Sequence, residues 1–320
     1  MKRINIILIL LIGIMIGCDK VEPPYIEGGG SGVTDNKGDT TIILNGDTFT
    51  YFSADTLVIN GHMFDFSGNN FVPFRKVLME EWTGFKCGNC PPAGNFLNYT
   101  IVPPLADTLV VIALHAGQFA EPGSFGLPNP PSGSFLTDYR TATSDFLYTY
   151  FGSPYNPSGM IDRIGYPSAY IKNKAVWLST INTRKALPAK HKIDLRADFD
   201  PFTRKVSVAI QTDLLDASSD TLKLQVVLTE DSVIDWQYWD GNNPVFVPDF
   251  AHRHVFRTSM NGNLGEVIYN GIFTPGEKRL RGYAYSLPST WDESHCHVVA
   301  YISNKRTEEV YQVEEVYVIE

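Results

Sequence analysis

The rhythm of apolar and polar positions changes along this chain, and each change marks a different kind of element. Lys2 and Arg3 precede an apolar run from Ile4 to Ile16 that closes on Gly17 and Cys18. A basic start, a short apolar stretch and a small residue make an export signal over residues 1–17. The run is shorter than the ~20 apolar residues a membrane span needs. Residues 18–38 then lose all periodicity, and Pro23-Pro24 with Gly28-Gly29-Gly30-Ser31-Gly32 read as a flexible tether with nothing to bury. Over residues 39–74, alternating segments such as Thr40–Leu44 and Thr56–Ile59 are broken by Asn45-Gly46 and Asn60-Gly61. Those dipeptides between alternating runs predict small β-hairpins.

From Arg75 the pattern becomes mixed. Val77–Trp82 is an apolar strand, residues 93–101 give a short helix, and Leu109–Leu114 is a continuous apolar strand of the buried, parallel kind. Residues 116–155 form an insertion, which opens as a Gly/Pro-rich loop. It continues as a helix, because Phe135, Tyr139, Ala142, Phe146 and Tyr150 recur at intervals of three and four. Placed between a strand and Pro157, the insertion is positioned to roof whatever lies beside it. A further helix over Ala175–Leu187 closes a unit spanning 75–190. After His191 the period falls to two, with strands at Ile193–Phe199, Val206–Ile210, Leu222–Leu228, His295–Ile302 and Val310–Ile319, the last two joined about Asn304-Lys305-Arg306. That spacing is the one a β-sandwich uses. An aromatic excursion from Asp235 to Gly276 interrupts it, with covering the seam between units favoured over a recognition surface. The expected fold class is therefore α/β plus all-β, an α/β domain over 75–190 followed by a β-sandwich over 191–320.

Charge removes one class of partner. The formal charge is −9, and losing Lys2 and Arg3 with the signal takes it to −11. No basic stretch remains that follows a phosphate backbone, so nucleic acid is not an expected partner.

The four cysteines carry the chemistry. Cys18 directly follows the small residue that ends the signal, where lipoprotein processing attaches a lipid, so the membrane is an expected partner through an N-terminal anchor. Cys87-Gly88-Asn89-Cys90 follows a strand, which is the thioredoxin-like arrangement. Two intervening residues allow a disulfide across the first turn of a helix, whose free N–H groups favour a thiolate at Cys87. Pro91-Pro92 lacks two backbone donors, so the helix is expected to start at Pro91, leaving Cys87 beyond the turn that activates it. Pro157 falls where such a fold has a cis-proline facing the cysteines. Strand parity puts Leu78, Glu80 and Trp82 on one face, and Glu80 is the candidate buried carboxylate that moves the proton of the second thiol; a solvated edge position for it stays equally open. His115 ends the strand beside Cys87 and is placed to tune its thiolate. Cys296 shares a face with Val298 and Ala300 and reads as a buried, inert thiol. A zinc site from His252, His254, His295 and His297 is the minor alternative, and no cofactor is expected.

Glu81-Trp82-Thr83-Gly84 before Cys87-x-x-Cys90-Pro91, Leu114-His115-Ala116-Gly117, Asn156-Pro157-Ser158-Gly159 leading to Arg163, and His252–Arg257 with Gly265-Glu266 together resemble the outer membrane protein 28 family. The resemblance spans about Val77 to the C-terminus. It implies a lipoprotein of the Gram-negative outer membrane, periplasmic or surface-facing, with a thioredoxin-like domain and an immunoglobulin-type sandwich. Two functions stay open. The first is a non-catalytic surface or binding lipoprotein with Cys87–Cys90 as a staple, favoured slightly by the Pro-Pro step and the long roof. The second is a thiol–disulfide oxidoreductase acting on envelope proteins, with Cys87 attacking, Cys90 resolving and Pro157 shaping a peptide groove.

Overall fold

The computed structural model describes residues 40–68 and 71–319; the export signal, the tether and Cys18 lie outside them. Strand dominates. The first four strands, β1 (Thr40–Leu44), β2 (Asp47–Tyr51), β3 (Thr56–Ile59) and β4 (His62–Asp65), form an antiparallel meander in that order. Asn45-Gly46 and Asn60-Gly61 take positive φ at both residues, which is what a tight hairpin turn demands. The meander buries Phe49, Leu57 and Ile59 against Ala209, Leu280 and Ala284 of the sheet beneath it.

The next segment carries β5 (Val77–Thr83), α1 (Cys90–Phe96), β6 (Leu109–His115), α2 (Ala142–Tyr150), β7 (Ser158–Ile161), β8 (Ile171–Lys172) and α3 (Trp177–Lys185). β5 and β6 are parallel, while β7 runs antiparallel to β5 and β8 antiparallel to β7. The helix after the cysteines begins at Cys90 rather than Pro91, with both prolines in its first turn, where their missing N–H groups leave no helical bond unmade. It runs on as a π-helical turn over Leu97–Ile101. α1 and α3 cover one face of these strands through Val77, Met79, Leu97, Trp177 and Ile181.

The remaining strands are β9 (His191–Asp200), β10 (Lys205–Leu214), β11 (Leu222–Glu230), β12 (Val233–Tyr238), β13 (Phe246–His252), β14 (Val255–Ser259), β15 (Glu266–Tyr269), β16 (Lys278–Ser286), β17 (Cys296–Asn304) and β18 (Val310–Tyr317). A three-stranded sheet, β16-β10-β9, faces β11 and β17 across a core of alternate residues such as Val206, Val208, Leu224, Val226 and Val298. Cys296 lies fully buried in that core, its thiol pushed up to about 12 by burial, with the Glu230 carboxylate adding to the shift.

The partition at residue 191 does not survive in the strand pairing. One sheet runs β18-β17-β11-β14-β6-β5-β7-β8, with β15 beside β11, and so crosses from one segment to the other. The join is β14, antiparallel to β11 and parallel to β6 through Val255 and Ala113. Its Phe256 lies in a shared core with Trp82, Ile112, Val299 and Val313.

Buried charge reinforces the same join. After β7, Asp162 and Arg163 both take left-handed φ, 46° and 52°. Such a pair of non-glycine residues is costly and needs compensation. Asp162 accepts from Arg75 at 2.7 Å, from Arg184 at 2.8 Å and from the Leu78 amide at 2.9 Å. Arg163 donates to Glu80 at 2.8 and 2.6 Å and to the Tyr301 hydroxyl at 2.9 Å, with Glu308 at 3.4 Å. Lys223 completes the group by donating to Glu308. Every one of these charges has a partner of opposite sign.

Candidate functional site

The Cys87–Cys90 disulfide sits where β5 gives way to α1. Cys87 N–H donates to Gly84 O at 2.9 Å and Cys90 N–H to Cys87 O at 3.1 Å, so the loop is wound tightly before the helix starts. Both cysteines are only 3% exposed. The Asn156–Pro157 peptide is cis, and Pro157 directly precedes Ser158, which is in register with Trp82 on β5. Asn156 Nδ2 donates to Thr83 O at 2.9 Å, tying the proline loop to the strand end that delivers the cysteines.

The carboxylate facing the disulfide is not Glu80. Parity did place Glu80 with Leu78 and Trp82, and it is buried, but that face is the one where Arg163 binds it at both oxygens. Its neighbour Glu81 points the other way, with Val77 and Met79, toward α1. A cavity of about 30 Å³ lies there, lined by Glu81, Cys90, Asn98, His115 and His252. Glu81 Oε1 and Asn98 Oδ1 are buried without a hydrogen-bond partner, and neither ring nitrogen of His115 makes a hydrogen bond of normal geometry. Burial pushes the Glu81 carboxyl up to about 8. Because β5 is buried on both faces, periodicity alone assigns the two glutamates to opposite faces without saying which face meets the cysteines.

His115 lines the same cavity as Cys90. Burial first, and then the positive fields of His252 and Arg257, hold it well below the ordinary imidazole range, so it is neutral at pH 7. Its ring lies 5.6 Å from that of His252 and 5.2 Å from that of Tyr139. Burial likewise brings His252 down to about 4. His254 adopts φ 53° after the end of β13, and His295 lies in a 3-10 turn ahead of β17, so neither histidine pair shares a strand face as alternation suggested. Among the described residues no three His, Cys, Asp or Glu side chains converge as metal ligands.

The roof over the disulfide comes from a different segment than expected. The insertion contributes a side wall, in which Lys86 N–H donates to Phe119 O at 3.0 Å and Phe85 stacks on Phe135 with ring centroids 5.5 Å apart. The cover itself is the β12–β13 hairpin within the aromatic excursion. Gln237 Nε2 donates to Cys87 O at 3.2 Å, and the Tyr238 and Asp240 amides donate to Phe85 O and Gly88 O. Gln237 and Asp240 carry no sequence signal for this role, since neither belongs to a motif.

A family model described as "Outer membrane protein Omp28" matches residues 144–320, more than half of the chain. Among solved structures, HBP35 of Porphyromonas gingivalis is similar in fold, with 12% identity and a TM-score of 0.56 over 77% of this chain and 76% of that one. A domain of the outer membrane lipoprotein Omp28 from the same organism is 24% identical over 41% of this chain and 89% of its own, at a TM-score of 0.27. No curated protein matches.

Proposed function

The chain belongs to the Omp28 family of outer membrane proteins, and from that premise we propose that it is a lipid-anchored thiol–disulfide oxidoreductase of the outer membrane, built on a thioredoxin-like unit. The outer membrane is its location. The strand order β8-β7-β5-β6, with a parallel β5–α1–β6 crossover and an antiparallel β7–β8 pair, supports the thioredoxin-like reading. The facing sheets C-terminal to it are consistent with an immunoglobulin-type sandwich.

The observation that carries the redox reading is Glu81. A buried carboxyl without a partner costs stability, of order several kcal/mol when ionised, and a structural staple gains nothing from it. Beside a thiol that must shed or take up a proton near neutrality, a group with a pKa of about 8 is useful. In the reduced protein, Cys87 thiolate attacks a substrate disulfide, forming a mixed disulfide and releasing one substrate thiolate. Glu81 carboxylate takes the Cys90 proton, and Cys90 attacks Cys87 Sγ. That step expels the second substrate thiolate, which is protonated from solvent, and regenerates the Cys87–Cys90 disulfide seen in the structure. A dithiol protein of the envelope is the reductant that completes the cycle. Pro157 would line the groove in which the substrate lies.

Covering of both sulfurs favours a second reading, a binding lipoprotein in which the disulfide is a staple. Trapping separates the two. Cys90→Ala should accumulate mixed disulfides with envelope proteins on non-reducing gels, and Cys87→Ala should give none; absence of adducts from both variants supports the staple.

A further inference from the structure

The β12–β13 hairpin forms a two-stranded sheet of its own, yet it contacts the cysteine loop directly. Tyr238 N–H donates to Phe85 O at 2.8 Å and Asp240 N–H to Gly88 O at 3.0 Å. Two amide donors, one at the end of β12 and one in the turn that follows it, thus meet main-chain acceptors three residues apart on the loop, so recognition runs through backbone groups. The approach is close. A Cβ on Gly88 would lie 2.7 Å from Asp240 Cβ and 2.8 Å from Tyr238 Cε1, so only glycine admits the hairpin. At its base the hairpin leaves the large sheet through two left-handed residues, Ser232 at φ 56° and His254 at φ 53°. Asp231 bridges that base, accepting from the His254 amide at 3.1 Å and from Arg253 at 2.9 Å. Terminal residues with special dihedrals are the places where a hinge absorbs its motion, while the hairpin itself is seated by packing of Trp236, Tyr238 and Phe246 on Phe85 and Phe135 and by the Tyr139 hydroxyl donating to Asp235 at 2.7 Å.

We propose that the Phe85–Gly88 main chain is a docking edge for an extended polypeptide, that the hairpin is its resident occupant, and that a protein segment bearing the disulfide or dithiol to be exchanged displaces it. The inference rests on the redox reading above and names its substrate class. An extended segment offers amide donors at alternate residues, as Tyr238 and Asp240 do. Its arrival lifts the hairpin tip and uncovers cysteines that are each only 3% exposed while the tip is seated. Resident and substrate compete for the same carbonyls, so the site stays closed to small thiols and opens to peptides.

The test uses the oxidised full chain, a small phosphine, and a flexible peptide carrying two thiols. Gln237→Ala removes the closed-state bond to Cys87 O and leaves the loop's own residues unchanged, so reduction by both reagents should quicken by about tenfold, the scale of one lost hydrogen bond. Gly88→Ala should quicken the phosphine yet slow the peptide, because its Cβ obstructs any strand on that edge. N-methylating the peptide amides should remove its advantage on the wild type. Amide exchange gives a readout independent of the variants: Tyr238 and Asp240 should exchange well before the β11 and β17 amides. Phosphine rates unchanged in both variants, or Tyr238 and Asp240 exchanging only with β11 and β17, would overturn the proposal. A wild type that opens to phosphine but never exchanges with a peptide dithiol would remove the redox reading and with it the substrate, whereas active exchange with an immobile hairpin would remove the cap alone.

Discussion

At the scale of single residues, Glu80 and Glu81 show how one position along a strand decides between structure and chemistry. Both are buried, but Glu80 is held by Arg163 and Glu81 by nothing. For Glu81 the pH dependence follows directly. Its carboxyl ionises near 4.5 when the chain is unfolded and near 8 when folded, so between those values the folded state binds the extra proton. Stability is therefore lost as pH rises across that window, by an amount on the order of 5 kcal/mol for a shift of this size. Glu81→Gln, which keeps the shape and cannot ionise, should be more stable than the wild type by a margin that widens from pH 5 to pH 8. Urea denaturation of the oxidised proteins across that range measures it, and parallel curves would mean that Glu81 is not buried as an acid. The sequence showed two glutamates in an apolar run and an adjacent Cys-x-x-Cys, which located the site to within one residue. The face was illegible because helices cover one side of β5 and strands of a distant segment the other.

Among elements, those with local causes were readable. The Asn-Gly turns of the meander, the apolar β6 and the alternating β9–β11 and β17–β18 strands appear where periodicity put them, whereas the helix read from Phe135 onward starts only at Ala142, because Phe135 takes φ 60° and Thr141 caps the helix. β14 and the β12–β13 hairpin were not, because each takes its place from partners far away in sequence. β14 is five residues long and pairs with β6 across more than a hundred positions, and nothing in its own composition distinguishes it from the aromatic loop around it. The same distant tie explains Arg163, which follows β7 and binds Glu80 of β5 while lying against Glu308 in the β17–β18 turn and Tyr301 of β17. Removing one member leaves the others buried and uncompensated, so Arg163→Ala should cost about 3–5 kcal/mol. Chemical denaturation would register this as a lower midpoint. A loss under ~1 kcal/mol would mean water reaches the network and solvates the orphaned carboxylates.

For the whole molecule, the sheet that runs from β18 to β8 joins the disulfide segment to the C-terminal strands, and the cover, a separate two-stranded sheet, continues into it through β14. The cysteines come from residues 87 and 90, the roof from residues 233–252, and β14 connects that roof directly to β6. Anchoring adds a further constraint: on the proposed reading a lipid at Cys18 would hold this body at the outer membrane, and the proteins it exchanges with would have to reach it there. Cys18→Ser should release the protein from membranes and abolish fatty-acid labelling, and unchanged fractionation with retained label would refute the anchor. The central claim, that Cys87–Cys90 exchanges with other disulfides, is tested most directly by the reduction potential of the pair in the full chain, equilibrated against a dithiol buffer and read by alkylation. A catalytic site should fall between about −120 and −270 mV, whereas a value well below about −300 mV would identify a structural bond and contradict the account.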